Sequence, residues 1–264
     1  MAQSRSPLIH NHWLAAYGLS GRYVLLPVAP GRLGDALRGL PALGFRGCNV
    51  TMPYKQDVMP LLDRVEEGAR RIGAVNTIVV GEDGRLSGAN TDGTGYLLSL
   101  REAAPGWRAD AGPAVVLGAG GAARAVIVAL LDAGAPAIRV LNRTPERALA
   151  IAAEFGPLVQ AVAWADRDAA VQDAALLANA TSLGMAGKAP LEIGLGRLPR
   201  AALVSDLVYS PLETRLILDA KARGNAAVGG LGMLLHQARP AFEAWFGVAP
   251  AVTAGLREAV QATF

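Results

Sequence analysis

Six residues, Gly118-Ala119-Gly120-Gly121-Ala122-Ala123, constrain this chain more than any other stretch. They follow a short apolar run, Ala114-Val115-Val116-Leu117, and open an Ala-rich stretch of helical length from Ala122 to Leu131. Strand, glycine turn and helix in that order fit the G-x-G-x-x-A fingerprint of a dinucleotide-binding βα turn. Gly118 permits the tight turn, Gly120 lets the backbone approach a pyrophosphate, and small Ala123 lets helix and strand pack closely. The N–H groups of Gly121 and Ala122 stand where a helix start holds an anion. Taken alone, the pattern also fits a glycine-rich turn that binds nothing. A second apolar run, Ile138 to Leu141, stands where the next strand of such a unit belongs and favours the ligand. At the end of that run an NAD site would carry an acidic residue, whereas this chain has Asn142-Arg143-Thr144. A guanidinium suits a 2′-phosphate and a carboxylate would repel it, so NADP is the predicted cofactor, with a solvated surface Arg143 as the bland alternative.

The rest of the second half repeats strand and helix. Pro145 opens a helix toward Phe155, and apolar runs recur at Leu176 to Ala178 and Leu203 to Leu207. This alternation predicts a Rossmann-like, doubly wound parallel sheet. The first half reads as mixed α/β, with strands at residues 23–28 and 75–80 and helical spacing across residues 57–72. A helix from Gly93 to Ala103 leads into Pro105-Gly106-Trp107, the predicted domain boundary. The expected organisation is an α/β substrate-binding domain at residues 1–104, an NADP domain at 105–231, and a C-terminal segment 232–264, helical from Leu231 onward, returning to the first, with the active site in the cleft between domains.

Composition excludes several other classes. Of 264 residues 52% are hydrophobic, which rules out a disordered chain. The longest stretch without a charged residue, Ser6 to Gly21, contains Ser, His, Asn and Tyr, so no transmembrane helix is expected. No signal peptide is evident from Met1 to Pro7, and Cys48 is alone, so the cytoplasm is the expected compartment. A net charge of +3 with scattered basic residues argues against nucleic acid. His10, His12, His236 and Cys48 lack zinc-ligand spacing, so no metal is expected.

Two polar turns in the first half follow strands, where α/β proteins collect catalytic groups. They are Asn49-Val50-Thr51-Met52-Pro53-Tyr54-Lys55 and Asn90-Thr91-Asp92-Gly93-Thr94-Gly95. Lys55 is one of only three Lys among 25 basic residues. Lys55 and Asp92 could form a charged pair that handles a proton. By spacing alone, Asp92 is equally a helix cap and Lys55 equally a surface residue.

These turns, with Ser4-Arg5-Ser6-Pro7, Ala74-Val75-Asn76-Thr77, Asn142-Arg143-Thr144, Asn179-Ala180-Thr181-Ser182-Leu183-Gly184-Met185, Asp206-Leu207-Val208-Tyr209 and Gly232-Met233-Leu234-Leu235-His236-Gln237, resemble in order the motifs of the shikimate dehydrogenase family. The resemblance spans nearly the whole chain. It implies reversible, NADP-dependent reduction of 3-dehydroshikimate to shikimate by a monomer or homodimer. Carried over by position, it assigns the substrate carboxylate to Ser4 and Ser6 and the ring hydroxyls to Thr51, Asn76, Asp92 and Gln237. Lys55 and Asp92 become the catalytic pair. Tyr209, with Gly230 and Met233, would line the nicotinamide pocket, and Thr181, Ser182, Met185 and Leu207 would flank the cofactor. Alternatives are a quinate/shikimate dehydrogenase with broader substrate or NAD use, and a non-catalytic NADP-binding regulator. Relatives begin with a strand and a Gly-x-Pro turn ahead of the two serines. Here Ser4 follows Met1 by three residues, so the natural protein is expected to start upstream, or a chain starting here to be destabilised and to hold Ser4 and Ser6 loosely.

Overall fold

The computed structural model describes residues 4–264; the reading that no signal peptide begins at Met1-Ala2-Gln3 lies outside them. Two units divide the chain, one formed by the described residues up to Thr91 together with Leu235–Phe264, the other by Asp92–Leu234.

The first unit holds a four-stranded sheet of short strands, β1 (Gly47–Asn49), β2 (Arg64–Val65), β3 (Thr77–Val80) and β4 (Leu86–Ala89), in the order β1-β3-β4-β2. β3 runs antiparallel to β1 and β4, and β2 runs parallel to β4. Helices α1 (Ser6–Ala16), α2 (Leu33–Ala42) and α3 (Glu67–Ile72) come from the N-terminal stretch. Leu37, Leu40, Val58, Ile78 and Leu86 form the apolar core. A second, aromatic cluster joins His10 and Trp13 of α1 to Phe242 and Trp245 of the helix Leu231–Phe246; the tail expected as one helix is two, with Ala254–Gln261 following. Trp245 Nε1 donates to the Ile78 carbonyl at 2.9 Å, which pins that helix to the sheet. A Cβ at Gly47 would lie 2.2 Å from the same indole nitrogen, so only glycine lets β1 pass beneath it.

The predicted strand at residues 23–28 does not form. A strand needs a ladder partner, and among the described residues none pairs with this segment. Instead the Asn11 side chain occupies the backbone of Tyr23: Tyr23 N donates to Asn11 Oδ1 at 2.9 Å and Asn11 Nδ2 donates to the Tyr23 carbonyl at 3.0 Å. The helix predicted across residues 57–72 is also broken. Pro60 sits in a single 3₁₀ turn, Met59–Leu61, and Arg64 and Val65 then pair with Ser87 and Gly88 as β2. Only α3 survives of that helix. His10 is 1% exposed within the aromatic cluster.

The second unit starts with α4 (Asp92–Ala103), ahead of the Pro105-Gly106-Trp107 turn taken as the boundary. α4 buries Tyr96 and Leu100 against Val126, Ile127 and Leu130 of α5 (Gly121–Asp132). Each such side chain contributes roughly 1.5–3 kcal/mol. Gly93 allows the close approach, since a Cβ there would meet the Ala125 carbonyl at 2.9 Å. The strands β5 (Ala114–Leu117), β6 (Ile138–Leu141), β7 (Val159–Val162), β8 (Leu176–Asn179), β9 (Leu203–Asp206) and β10 (Ala227–Val228) form one parallel sheet in the order β10-β9-β8-β5-β6-β7. Its alternating residues feed two cores. Val116 and Val140 face the core that contains α4, α5 and α6 (Pro145–Phe155), while Val115, Leu117 and Leu141 face the opposite one with Leu177, Val204 and Leu216.

Candidate active site

In the second unit the C-terminal ends of four strands line up. Leu117 pairs with Leu141 on one side and Asn179 on the other, and Asn179 pairs with Asp206. β5 is thus the point where the chain winds outward in both directions, and the crevice beyond such strand ends is where open α/β sheets bind ligands. Gly118 turns the chain there with φ +111°, its N–H donating to the Leu141 carbonyl at 2.7 Å. A Cβ on it would lie 2.9 Å from the Ala180 carbonyl, so the position excludes every other residue. A Cβ on Gly120 would meet nothing within 4 Å, which leaves the backbone open to a ligand. Gly121 and Ala122 then begin α5, whose first N–H groups have no partner inside the helix, and Ala123 is fully buried beneath them.

The loops from neighbouring strands are fixed by short polar side chains. Asn142 Nδ2 donates to the Thr144 carbonyl at 2.9 Å and turns the chain into α6, leaving Arg143 and Thr144 exposed. Thr181 donates through N and Oγ1 to Asn179 Oδ1, at 3.1 and 2.7 Å, and Leu183 N donates to Thr181 Oγ1 at 3.0 Å, shaping the turn that carries Ser182 and Met185. Asp206 organises the next loop: its carboxylate accepts from Asn179 Nδ2 (2.9 Å), Val208 N (3.0 Å) and Thr214 Oγ1 (2.6 Å). Burial pushes the Asp206 carboxyl above its ordinary range despite these donors. Tyr209 rides on that loop. Gly230 N donates to the Val208 carbonyl at 3.2 Å, and a Cβ at Gly230 would fall 2.2 Å from the Leu207 carbonyl. Leu207 and Met233 pack half-buried on the same core. An open Gly120 backbone, free helix N–H groups and the exposed cation Arg143, with no acid among residues 142–144, could hold a dinucleotide bearing a 2′-phosphate.

In the first unit the polar residues converge on Asn76, which is 2% exposed. Its Oδ1 accepts from Thr91 N (3.0 Å) and Thr77 Oγ1 (2.9 Å), and its Nδ2 donates to Thr91 Oγ1 (3.0 Å) and Gln237 Oε1 (3.4 Å). Thr91 Oγ1 also donates to the Gln237 carbonyl at 2.7 Å. Asn76 and Gln237, 161 positions apart, are thereby brought together. Ser4 and Ser6 meet at the start of α1, with Ser6 N donating to Ser4 Oγ at 3.3 Å. Thr51 is exposed and Lys55 half-buried on the turn after β1, and Val75 N holds that turn by donating to the Lys55 carbonyl at 2.8 Å. Asp92, 4% exposed, opens α4 immediately after Thr91, at the positive end of the helix.

Three family profiles match the chain: shikimate dehydrogenase substrate binding domain at residues 1–78, shikimate / quinate 5-dehydrogenase at 106–186, and shikimate 5'-dehydrogenase C-terminal domain at 230–261. A shikimate dehydrogenase (NADP(+)) from Rhodospirillum rubrum is 55% identical across 98% of this chain and 93% of its own length. The chain belongs to the shikimate dehydrogenase family. Among solved structures, shikimate 5-dehydrogenase from Thermus thermophilus in complex with NADP(H) and shikimate is 40% identical, with TM-score 0.88, over 100% of this chain and 96% of that one. Quinate dehydrogenase from Corynebacterium glutamicum in complex with NAD is 32% identical, with TM-score 0.90, over 98% and 95%. The family's fold, an α/β chain with a parallel Rossmann-like sheet, is the one described above.

Several residues that shape this site escaped the sequence reading. Asn49 donates through Nδ2 to the Asn76 carbonyl and Thr77 Oγ1, both at 3.2 Å, and accepts from the Tyr23 hydroxyl. Asn179 and Asp206 were read only as members of motifs. Their signal was available: a polar residue closing an apolar strand at the ligand-binding end of a parallel sheet.

Proposed function

We propose that this chain catalyses the reversible, NADP-dependent reduction of 3-dehydroshikimate to shikimate, with the small-molecule substrate held by Ser4, Ser6, Thr51, Asn76, Asp92, Tyr209 and Gln237. The buried amide and hydroxyl cluster around Asn76 carries this reading, because it presents fixed donors and acceptors suited to a polyhydroxylated ring. A site of that kind discriminates against analogues lacking a hydroxyl, since only a hydroxyl can replace the internal hydrogen bonds that an arriving ring displaces. The two serine hydroxyls at the start of α1 suit a carboxylate, with the helix dipole favouring negative charge.

Gly118, Gly120, Gly121 and Ala122 would hold the pyrophosphate of NADPH and Asn142, Arg143 and Thr144 its 2′-phosphate, and the chemistry it would supply there is a hydride for the substrate carbonyl. Lys55, as an ammonium, donates a proton to the oxygen that becomes the C3 hydroxyl, and in the oxidative direction its amine takes that proton back. This charge develops only in the transition state, so stabilising it raises turnover rather than affinity. Asp92, the second member of the proposed catalytic pair, accepts from a ring hydroxyl. Thr181, Ser182, Met185, Leu207, Gly230 and Met233 flank the cofactor and keep water from the reacting centre. We place the reaction in the cytoplasm, which the free thiol of Cys48 supports.

The test is the near-ultraviolet absorbance of NADPH appearing when the protein is mixed with shikimate and NADP, repeated with quinate and with NAD. Fastest turnover with shikimate and NADP supports the reading. Faster turnover with quinate, or with NAD, replaces it by the broader dehydrogenase, and no turnover with any pair overturns it.

A further inference from the structure

Arg5 stands between the two serines read as carboxylate ligands, at the residue that caps the start of α1. A helix N-terminus disfavours positive charge, and the Arg5 side chain makes no cap hydrogen bond there. It reaches instead to a residue 258 positions further along the chain. Its Nη2 donates to the Thr263 carbonyl at 2.6 Å, and its guanidinium lies over the Phe264 ring, 4.7 Å from the centroid. The cation thus leaves the positive end of one helix for the far end of another, Ala254–Gln261.

What receives the guanidinium is firmly held. The helix Ala254–Gln261 buries Leu256 and Val260 completely and starts on Thr253, whose Oγ1 accepts from Leu256 N at 3.2 Å. Beyond it the chain makes one more turn: Thr263 donates through N and Oγ1 to the Val260 carbonyl, at 3.1 and 2.7 Å, and Phe264 N donates to the Gln261 carbonyl at 3.2 Å. Carbonyls at the C-terminal end of a helix lack donors within it and stand at the negative end of its dipole, so a guanidinium suits them. On the other side of the link, Ile9 N donates to the Arg5 carbonyl at 3.1 Å and Ser6 N to Ser4 Oγ at 3.3 Å, which ties both serines to the backbone of Arg5.

We infer that Arg5 is a positioning residue for the substrate carboxylate, which fastens the Ser4–Ser6 turn to the helix Ala254–Gln261 through Thr263 and Phe264. The inference rests on the reading of Ser4 and Ser6 as carboxylate ligands. Two hydroxyls bind an anion well only if they stand in place before it arrives, since ordering them on binding subtracts from affinity. Arg5 acts through the serines, so it sets affinity and leaves the hydride and proton steps alone. The anchor asks for arginine in particular: a planar guanidinium donates from its edge while its face rests on a ring, and an ammonium lacks that shape.

Mutant cycles on the full chain test this, with shikimate oxidation by NADP as the assay. Arg5→Met keeps the apolar stem and removes the guanidinium. KM for shikimate is expected to rise about 3- to 10-fold, the range of one lost hydrogen bond, with kcat within about twofold and KM for NADP unchanged. Phe264→Ala is expected to raise KM about 2- to 3-fold and to add little to Arg5→Met, since both break one anchor. Arg5→Lys is expected to recover only part of the loss. Ser4→Ala combined with Ser6→Ala is expected to raise KM by itself and to erase the effect of Arg5→Met. An unchanged KM in R5M, R5M and F264A effects that multiply independently, or an R5M effect undiminished in the S4A/S6A protein overturns the inference and leaves the proposed activity standing. Full recovery in R5K does the same, and makes Arg5 a charge that draws the carboxylate through solvent. An unchanged KM in S4A/S6A overturns the carboxylate assignment and the role of Arg5 together. Absence of wild-type turnover with shikimate overturns the activity itself, and the inference with it. Should R5M yield no folded protein, F264A, which removes a ring 38% exposed, decides alone: an unchanged KM overturns the inference.

Discussion

The two sheets of this protein solve different problems with different materials. In the Asp92–Leu234 unit the central strands β5, β8 and β9 are buried along their whole length, and the candidate cofactor crevice is made mainly of backbone, glycine and short loop side chains. In the other unit β1 is only half-buried along its three residues, and the polar site is a web of side chains drawn from α1, β1 and the turn after it, the start of β3 and the helix Leu231–Phe246. A site built on backbone depends on a few residues that cannot be larger than glycine. A site built on side chains depends on partners far apart in the chain, and each of its groups is only as well placed as the group that holds it.

The largest effect that would sharpen this contrast is at Lys55. Lys55→Ala should lower kcat by about 10²- to 10⁴-fold while the dissociation constant for shikimate changes little, because the lost interaction belongs to the transition state. Unchanged turnover would remove Lys55 from the chemistry.

Acid should strike the first unit through His10. Its two ring nitrogens have no hydrogen-bond partner among the described residues, and burial lowers its pKa from 6.5 to about 3. The unfolded chain then binds a proton that the folded chain does not between those values, so stability falls as pH drops from 6.5 toward 3. At pH 4 this amounts to about 3 kcal/mol relative to neutral pH. His10→Phe keeps an aromatic ring in the cluster and should make the fall in unfolding free energy between pH 7 and pH 4 smaller by about that amount. Equal acid sensitivity in both proteins would show that His10 does not control it.

Gly118→Ala probes the backbone-built side. A side chain at φ +111°, with the Ala180 carbonyl 2.9 Å away, should cost about 1–3 kcal/mol of stability and weaken NADP binding, whereas shikimate affinity should hold. Calorimetric titration with each ligand separates the two effects, and equal losses for both would break the contrast between the sites. The smallest change is expected from Arg143→Ala, which should weaken NADP about tenfold and leave NAD nearly untouched, since only NADP carries the 2′-phosphate. Equal losses for both cofactors would make Arg143 a structural residue.

Legibility followed the same division. The glycine turn, the helix from Pro145 to Phe155 and the strands Ile138–Leu141 and Ala114–Leu117 can be read from local pattern, because each is specified by residues adjacent in sequence, the strands by apolar runs buried on both faces and the helix by one apolar stripe through Ala148 and Ile151. Residues 23–28 and 57–72 misled for the opposite reason. Tyr23 to Val28 has strand composition, but composition cannot provide a neighbour, and helical spacing through Val58 and Leu61 was interrupted by Pro60 and by pairing with β4. The α4 helix was found, yet its unit was not, since the partner that decides it, α5, lies beyond an intervening turn.

By itself, the sequence determined which residues could do chemistry here: a turn that only glycine can make, a cation where an acid would select the other cofactor, and the polar types that a hydroxylated acid requires. Tertiary structure alone decided how those residues are held. Asn76 and Gln237 become one donor and acceptor surface only because the helix Leu231–Phe246 packs onto the sheet through Trp245. Tyr23 gains its reach to Asn49 only because His10 and Asn11 fix it in place. Hydrogen bonds and ring stacking act over a few ångströms of space, and no local pattern in the chain encodes which distant residues will stand within that range.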